Sequence, residues 1–165
     1  MKISQNKFTQ IIAKAKQLLI NSKMKKLPIR LQEIANKQGW LLVPYSKLEK
    51  SCLRKYINYS SNNKGFCLCM ENKFLIFYND ALPKKQQRFV IAHEMGHIAL
   101  RHYIKKQKNR EQEANMFARQ VLVPLFLLNQ YHIKSKKQIS KKCIVNYCCA
   151  KTVYFENHFF KKINI

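Results

Sequence analysis

Residues 88–100 read RFVIAHEMGHIAL, and no other stretch constrains the chain as strongly. His93, Glu94 and His97 interrupt a run of Phe89, Val90, Ile91, Ala92, Ile98, Ala99 and Leu100 that surrounds a helix on every side, so that helix must be largely buried. Three uncompensated polar side chains there would be costly, and a metal ion is the partner all three can share. On a helix turning about 100° per residue, His93 and His97 project from one face, one turn apart, and can hold a single cation through their imidazole nitrogens. Glu94 lies beside them, where it can reach a water on that cation without ligating it. This is the general-base position of HExxH metalloproteases. The motif would arise by chance in roughly 0.6% of chains of this length and composition. Gly96 costs about 1 kcal/mol of helix propensity relative to Ala, which is reasonable if another segment must approach that backbone closely.

A catalytic zinc needs a third protein ligand and an open position for water. His102 is a poor choice: five residues beyond His97 on a continuing helix, it turns well away from the ligand face. A metzincin would need Gly and His where this chain has Leu100 and Tyr103. The better source is REQEANMFARQVLVP, residues 110–124, whose apolar face is Ala114, Phe117, Ala118, Val121, Leu122 and Leu125. Glu111 projects about 60° from the centre of that face and Glu113 about 100°, so Glu111 is the expected ligand. Glu113 reads as a solvated surface acid, with ligand exchange or a salt bridge to an arginine such as Arg110 as alternatives. Asn115, one turn beyond Glu111, is placed to hydrogen-bond a ligand histidine or steady the carboxylate. Tyr78, Tyr103 and His102 are candidate oxyanion donors by residue type only.

The remainder organises around this site. A chain of 165 residues, with 47% hydrophobic residues, three glycines and four prolines, is long enough for one core without staples and is not disordered. Phe8, Ile11, Ile12, Ala15, Leu18 and Leu19 predict an amphipathic helix ending near Asn21. LQEIANKQ predicts a second helix that stops at Gly39, and WLLVPY a strand. SKLEKSCLRKY reads as helical and NYSSNNKG as a loop. GFCLCM and KFLIFY form a hairpin joined by Glu71 and Asn72. The motif helix begins at Pro83, with Asp80 and Ala81 outside it, and runs up to an interruption at 105–110. A further helix runs from about Arg110 to Val123 and is closed by Pro124. Beyond Asn129 one short helical pattern, Lys141 to Tyr154, precedes a basic tail.

The formal charge of +24 would attract nucleic acid, anionic lipid or an acidic protein, but the lysines are scattered and form no arm or stripe. Six cysteines show neither a CxxC pair nor a zinc-finger spacing, and read as free thiols; vicinal Cys148 and Cys149 could sense oxidation. With no apolar signal segment at the N-terminus, and the longest apolar run, Val121 to Leu128, too short to span a bilayer, a cytoplasmic location without a membrane partner is expected.

At residues 28–125 the chain resembles the ImmA/IrrE metallopeptidases, which are similar to gluzincins in having a glutamate as third zinc ligand. The likeness covers the short helix ending in Gly39 with its strand, the hairpin ending in FLIFYN, the helix FVIAHEMGHIALRH and the block EQEANMFARQVLVP. It implies one zinc on His93, His97 and Glu111, with Glu94 as base. The implied fold is α+β: a mainly helical zincin-like metallopeptidase domain over 1–128, with a small antiparallel sheet or hairpin packed against the HExxH helix, and a basic helical extension, 129–165, of the same compact unit. It also implies a cytoplasmic endopeptidase that cleaves a protein substrate, a helix-turn-helix repressor of a mobile element or prophage. Two rival expectations are a non-catalytic, zinc-stabilised protein that binds a regulator or DNA, and a basic DNA-binding module centred on 129–165. The oligomeric state is left open.

Overall fold

Ser4 accepts a hydrogen bond from the Lys7 amide at 3.3 Å and so opens helix α1 (Gln5–Asn21), whose Ile11, Ala15, Leu18 and Leu19 turn inward. The computed structural model describes residues 4–48, 64–71, 73–104 and 108–163. The expected lysine-rich helix and the serine- and asparagine-rich loop fall mostly outside these, as do Cys52 and Asn72. After α1 come α2 (Leu31–Gln38), which ends at Gly39 with φ +69°, and strand β1 (Leu41–Pro44), followed by one turn of 3₁₀ helix over Tyr45–Lys47. Strands β2 (Gly65–Met70) and β3 (Lys73–Tyr78) pair antiparallel, from Gly65 opposite Tyr78 to Met70 opposite Lys73, as the two-residue connection requires.

The sheet is mixed rather than purely antiparallel. β1 lies parallel to β3, with Leu41 opposite Leu75 and Pro44 opposite Tyr78, giving the order β1-β3-β2. A parallel neighbour needs a crossover long enough to return to the same end of the sheet, and about twenty residues separate β1 from β2 in the chain. The central strand is the most buried: Ile76 joins the core shared with the helices, while Phe77, on the opposite face, stacks against Phe66 of β2.

Helix α3 (Lys84–Ala99) starts after Pro83 and α4 (Arg110–Leu122) packs along it. Pro124, expected only to close α4, also opens a short helix α5 (Leu125–Gln130). The end of the chain corrects the expectation of one short helix. Two form, α6 (Lys136–Cys143) and α7 (Tyr147–Ile163), separated where Ile144 takes φ +52°. Ser135 and Gln138 form a reciprocal capping box at the start of α6. A single apolar cluster links α1, α2, the sheet and α3 to α7, so Ile139, Cys143, Ala150 and Val153 share a core with Met95 and Phe117. Arg119 of α4 grips Glu156 of α7 at 2.6 and 3.4 Å, fastening the last helix to the one beside the motif. Among the described residues no helix is long and apolar enough to cross a membrane, and the five cysteines are free thiols.

Candidate metal centre

Two helices can bring side chains from both into one site only where their backbones come close. Here they do so at Gly96: a Cβ on it would sit 3.1 Å from Ala114 Cα and 3.2 Å from both the Ala114 carbonyl oxygen and Phe117 Cδ1. The close approach that the glycine suggested is therefore made by α4. Glu111, one turn before Ala114, reaches back over the histidines. Its Oε2 lies 3.3 Å from His93 Nε2 and 3.6 Å from His97 Nε2, and the two Nε2 atoms are 3.0 Å apart. Adjacent ligands on a tetrahedral zinc with bonds near 2.0–2.1 Å stand about 3.3 Å from one another. His93, His97 and Glu111 thus form a group that could hold a metal ion.

Each histidine is held on its far side. His93 Nδ1 meets Asn115 Oδ1 at 2.9 Å, the contact expected of Asn115. His97 Nδ1 meets His102 Nδ1 at 3.0 Å. This second contact overturns the expectation that His102 points well away. The helix does not continue: Arg101 takes φ +57°, its amide bonds to the Ile98 carbonyl at 3.0 Å, and the His102 amide bonds to the His97 carbonyl at 2.9 Å. That pair of bonds is a Schellman turn, which folds His102 back beneath His97. A left-handed cap usually advertises itself by glycine, and here an arginine occupies it, so the sequence carries little sign of the turn.

Glu113 is the second correction. It is buried, 5% exposed, whereas Glu111 is the half-exposed member of the pair. Its Oε2 takes bonds from His102 Nε2 and Lys7 Nζ, both at 3.1 Å. Arg110, the alternative salt-bridge partner considered for Glu113, instead lies 3.3 Å from Glu111 Oε1. Helix-face geometry on α4 alone misjudged these exposures because α1 covers the Glu113 side, and nothing in residues 110–124 announces α1.

Glu94, 7% exposed, points toward the sheet, where the Cys67 thiol of β2 hydrogen-bonds it. Burial raises its carboxyl to about 7, the Cys67 bond only partly opposing this. Burial also lowers His93, and burial together with His93 lowers His97 to about 4, so both imidazoles are neutral near pH 7, the form a metal ligand requires. A cleft of about 560 Å³ opens over these groups, walled by Phe66, Cys67, Phe89 and Val90, with Lys64, Tyr103 and Arg110 at its rim. Of the three candidate oxyanion donors, Tyr103 lines the cleft and is half exposed; both ring nitrogens of His102 are engaged. Tyr78 pairs with Gly65 in the sheet and is not among the cleft residues.

Comparison with known proteins follows the same lines. The Peptidase_M78 family model, described as an IrrE N-terminal-like domain, matches residues 55–142. No curated protein matches the sequence. Among solved structures, a Mycobacterium tuberculosis transcriptional regulator shares the fold with a TM-score of 0.59 at 14% identity, over 86% of this chain and 45% of that one. The chain therefore spans less than half the length of that structure, and at this identity the likeness is one of fold.

Proposed function

This chain belongs to the Peptidase_M78, IrrE N-terminal-like family, and from that premise we propose that it is a zinc-dependent endopeptidase with His93, His97 and Glu111 as metal ligands and Glu94 as general base. The observation that carries the reading is the convergence of two imidazole nitrogens and one carboxylate oxygen within 4.8 Å of one another beside the buried carboxyl of Glu94. When bound, zinc supplies a water acidified toward neutrality and a Lewis acid for the peptide carbonyl. Glu94, raised to about 7 by burial, is matched to accept a proton at neutral pH and return it to the leaving amine. His93 and His97 supply neutral nitrogens, and Asn115 and His102 hold their rings. Phe66, Phe89 and Val90 offer the peptide an apolar wall, and Tyr103, which also lines the cleft, is the candidate donor to the developing oxyanion.

The substrate in this reading is a protein in the cytoplasm, a helix-turn-helix repressor of a mobile element or prophage. A charge of +24 and the rim cations Lys64 and Arg110 favour encounter with an acidic partner or with a repressor already on DNA. The rival, a zinc-stabilised regulator without activity, would have four protein ligands filling the metal; the described group offers three, one of them half exposed to the cleft. The test is metal analysis of wild-type and Glu94→Gln protein, followed by incubation of each with a candidate repressor encoded nearby. Equal zinc in both, with cleavage by the wild type alone, is the expected result. Equal zinc with no cleavage by either, and no repressor trapped by the Glu94→Gln protein, would favour the rival.

A further inference from the structure

Behind His97, on the side of the ring away from Glu111, runs a row of polar groups that no step of hydrolysis uses. His97 Nδ1 is 3.0 Å from His102 Nδ1, His102 Nε2 is 3.1 Å from Glu113 Oε2, and Lys7 Nζ is 3.1 Å from the same oxygen. The His102 and Glu113 side chains are 2% and 6% exposed, and polar groups persist at such depth when they are hydrogen-bonded. Their hydrogens follow by elimination, because a neutral imidazole has one N–H and one lone pair. His97 Nε2 faces His93 and Glu111 and needs its lone pair for ligation, so the hydrogen of His97 sits on Nδ1 and is donated to His102 Nδ1. The hydrogen of His102 is then on Nε2 and is donated to the Glu113 carboxylate. Lys7, on α1 near the start of the chain, balances the charge.

We propose that His102, Glu113 and Lys7 are positioning residues for the metal centre, a carboxylate relayed through a second histidine that fixes the tautomer and ring orientation of His97. The two ligand histidines are thus supported in different ways. His93 leans on Asn115 of α4, whereas His97 is held through three residues that end on α1, so docking of the N-terminal helix becomes part of the site. Lys14 of α1 reaches the Ala99 carbonyl at 3.4 Å, a second tie between α1 and the end of the motif helix. The proposal rests on the reading of His93, His97 and Glu111 as metal ligands.

Its test is zinc titration of full-length wild-type, His102→Leu, His102→Asn, Glu113→Gln and Lys7→Met proteins against a chromophoric chelator, with thermal unfolding of each metal-free protein alongside. His102→Leu removes the acceptor for His97 and is expected to weaken zinc about 10–100-fold. His102→Asn restores an oxygen near the place of Nδ1 and should recover part of that loss, which a merely structural role of His102 would not produce. Glu113→Gln keeps an acceptor for His102 while removing the charge, and Lys7→Met removes the balancing cation from a partly exposed position; both should weaken zinc to a smaller degree, with the unfolding of each metal-free protein reporting the fold separately. Unchanged zinc affinity in Glu113→Gln and Lys7→Met would overturn the proposal even if His102→Leu fails to fold, and so would equal losses in the two folded His102 variants. A wild-type chain that binds no zinc would overturn this inference together with the proposed function, whereas wild-type binding with unaffected variants would overturn this inference alone.

Discussion

Gly96→Ala is the substitution that probes most directly how the site is assembled. The new methyl would lie 3.1 Å from Ala114 Cα and 3.2 Å from the Ala114 carbonyl oxygen and Phe117 Cδ1, inside the ordinary carbon contact distance of about 3.5–4.0 Å. Two of these three atoms are backbone, so relief requires α4 to move by a few tenths of an ångström. Replacing a helical glycine gains about 1 kcal/mol of propensity. Overpacking a tight interface costs about 1–3 kcal/mol. The expected balance is a loss of about 1 kcal/mol, seen as a drop in Tm of about 2–4 °C in the metal-free protein. Zinc should respond more strongly than stability. Glu111 lies one turn from Ala114, and metal sites tolerate ligand displacements of only about 0.2 Å, so zinc affinity is expected to fall about tenfold or more. A Gly96→Ala protein with higher Tm and wild-type zinc affinity, measured by calorimetry and chelator competition, would refute the claim that this crossing sets the ligand geometry.

Other perturbations follow from the same contacts. Asn115→Ala removes the acceptor for His93 Nδ1 and should weaken zinc about 10–100-fold, with Asn115→Asp retaining more affinity; equal loss in the two would argue against a hydrogen-bond role. Burial raises Glu94 from 4.5 to about 7, so its contribution to the metal-free fold is complete below pH 4.5 and is lost as pH rises through about 7. Glu94→Gln should therefore gain on the wild type across that window, reaching an advantage of about 3 kcal/mol above it. Denaturant unfolding at pH 4.5 and 8 measures this, and an advantage independent of pH contradicts it. Glu156→Ala breaks the paired contacts with Arg119 and should destabilise the fold by about 2 kcal/mol in urea unfolding, while zinc affinity changes less than in Gly96→Ala.

Local periodicity and short-range spacing made much of this molecule legible. The turn-separated runs at 65–70 and 73–78 are the two hairpin strands, α1 ends at Asn21, and α2 stops at Gly39, because each depends on residues a few positions apart. The same holds for His93 and His97, which one helical turn brings together wherever that helix lies. Glu111 was reached through the face of a second helix, and the structure sets its oxygen beside both rings. What sequence could not decide were the contacts made by partners far along the chain. The parallel pairing of β1 depends on a strand far along the chain, and the break at Ile144 and the Schellman turn at Arg101 involve no glycine or proline to announce them, so those two are held by packing that overrides local preference. Glu113 shows the difference most clearly. Its angle on α4 suggested solvent, yet Lys7 and the rest of α1 cover it, and His102 turns beneath it only because the motif helix stops at Ala99. Burial is a property of the assembled surfaces, and a helix read by itself contains the direction of a side chain but not what will be packed against it.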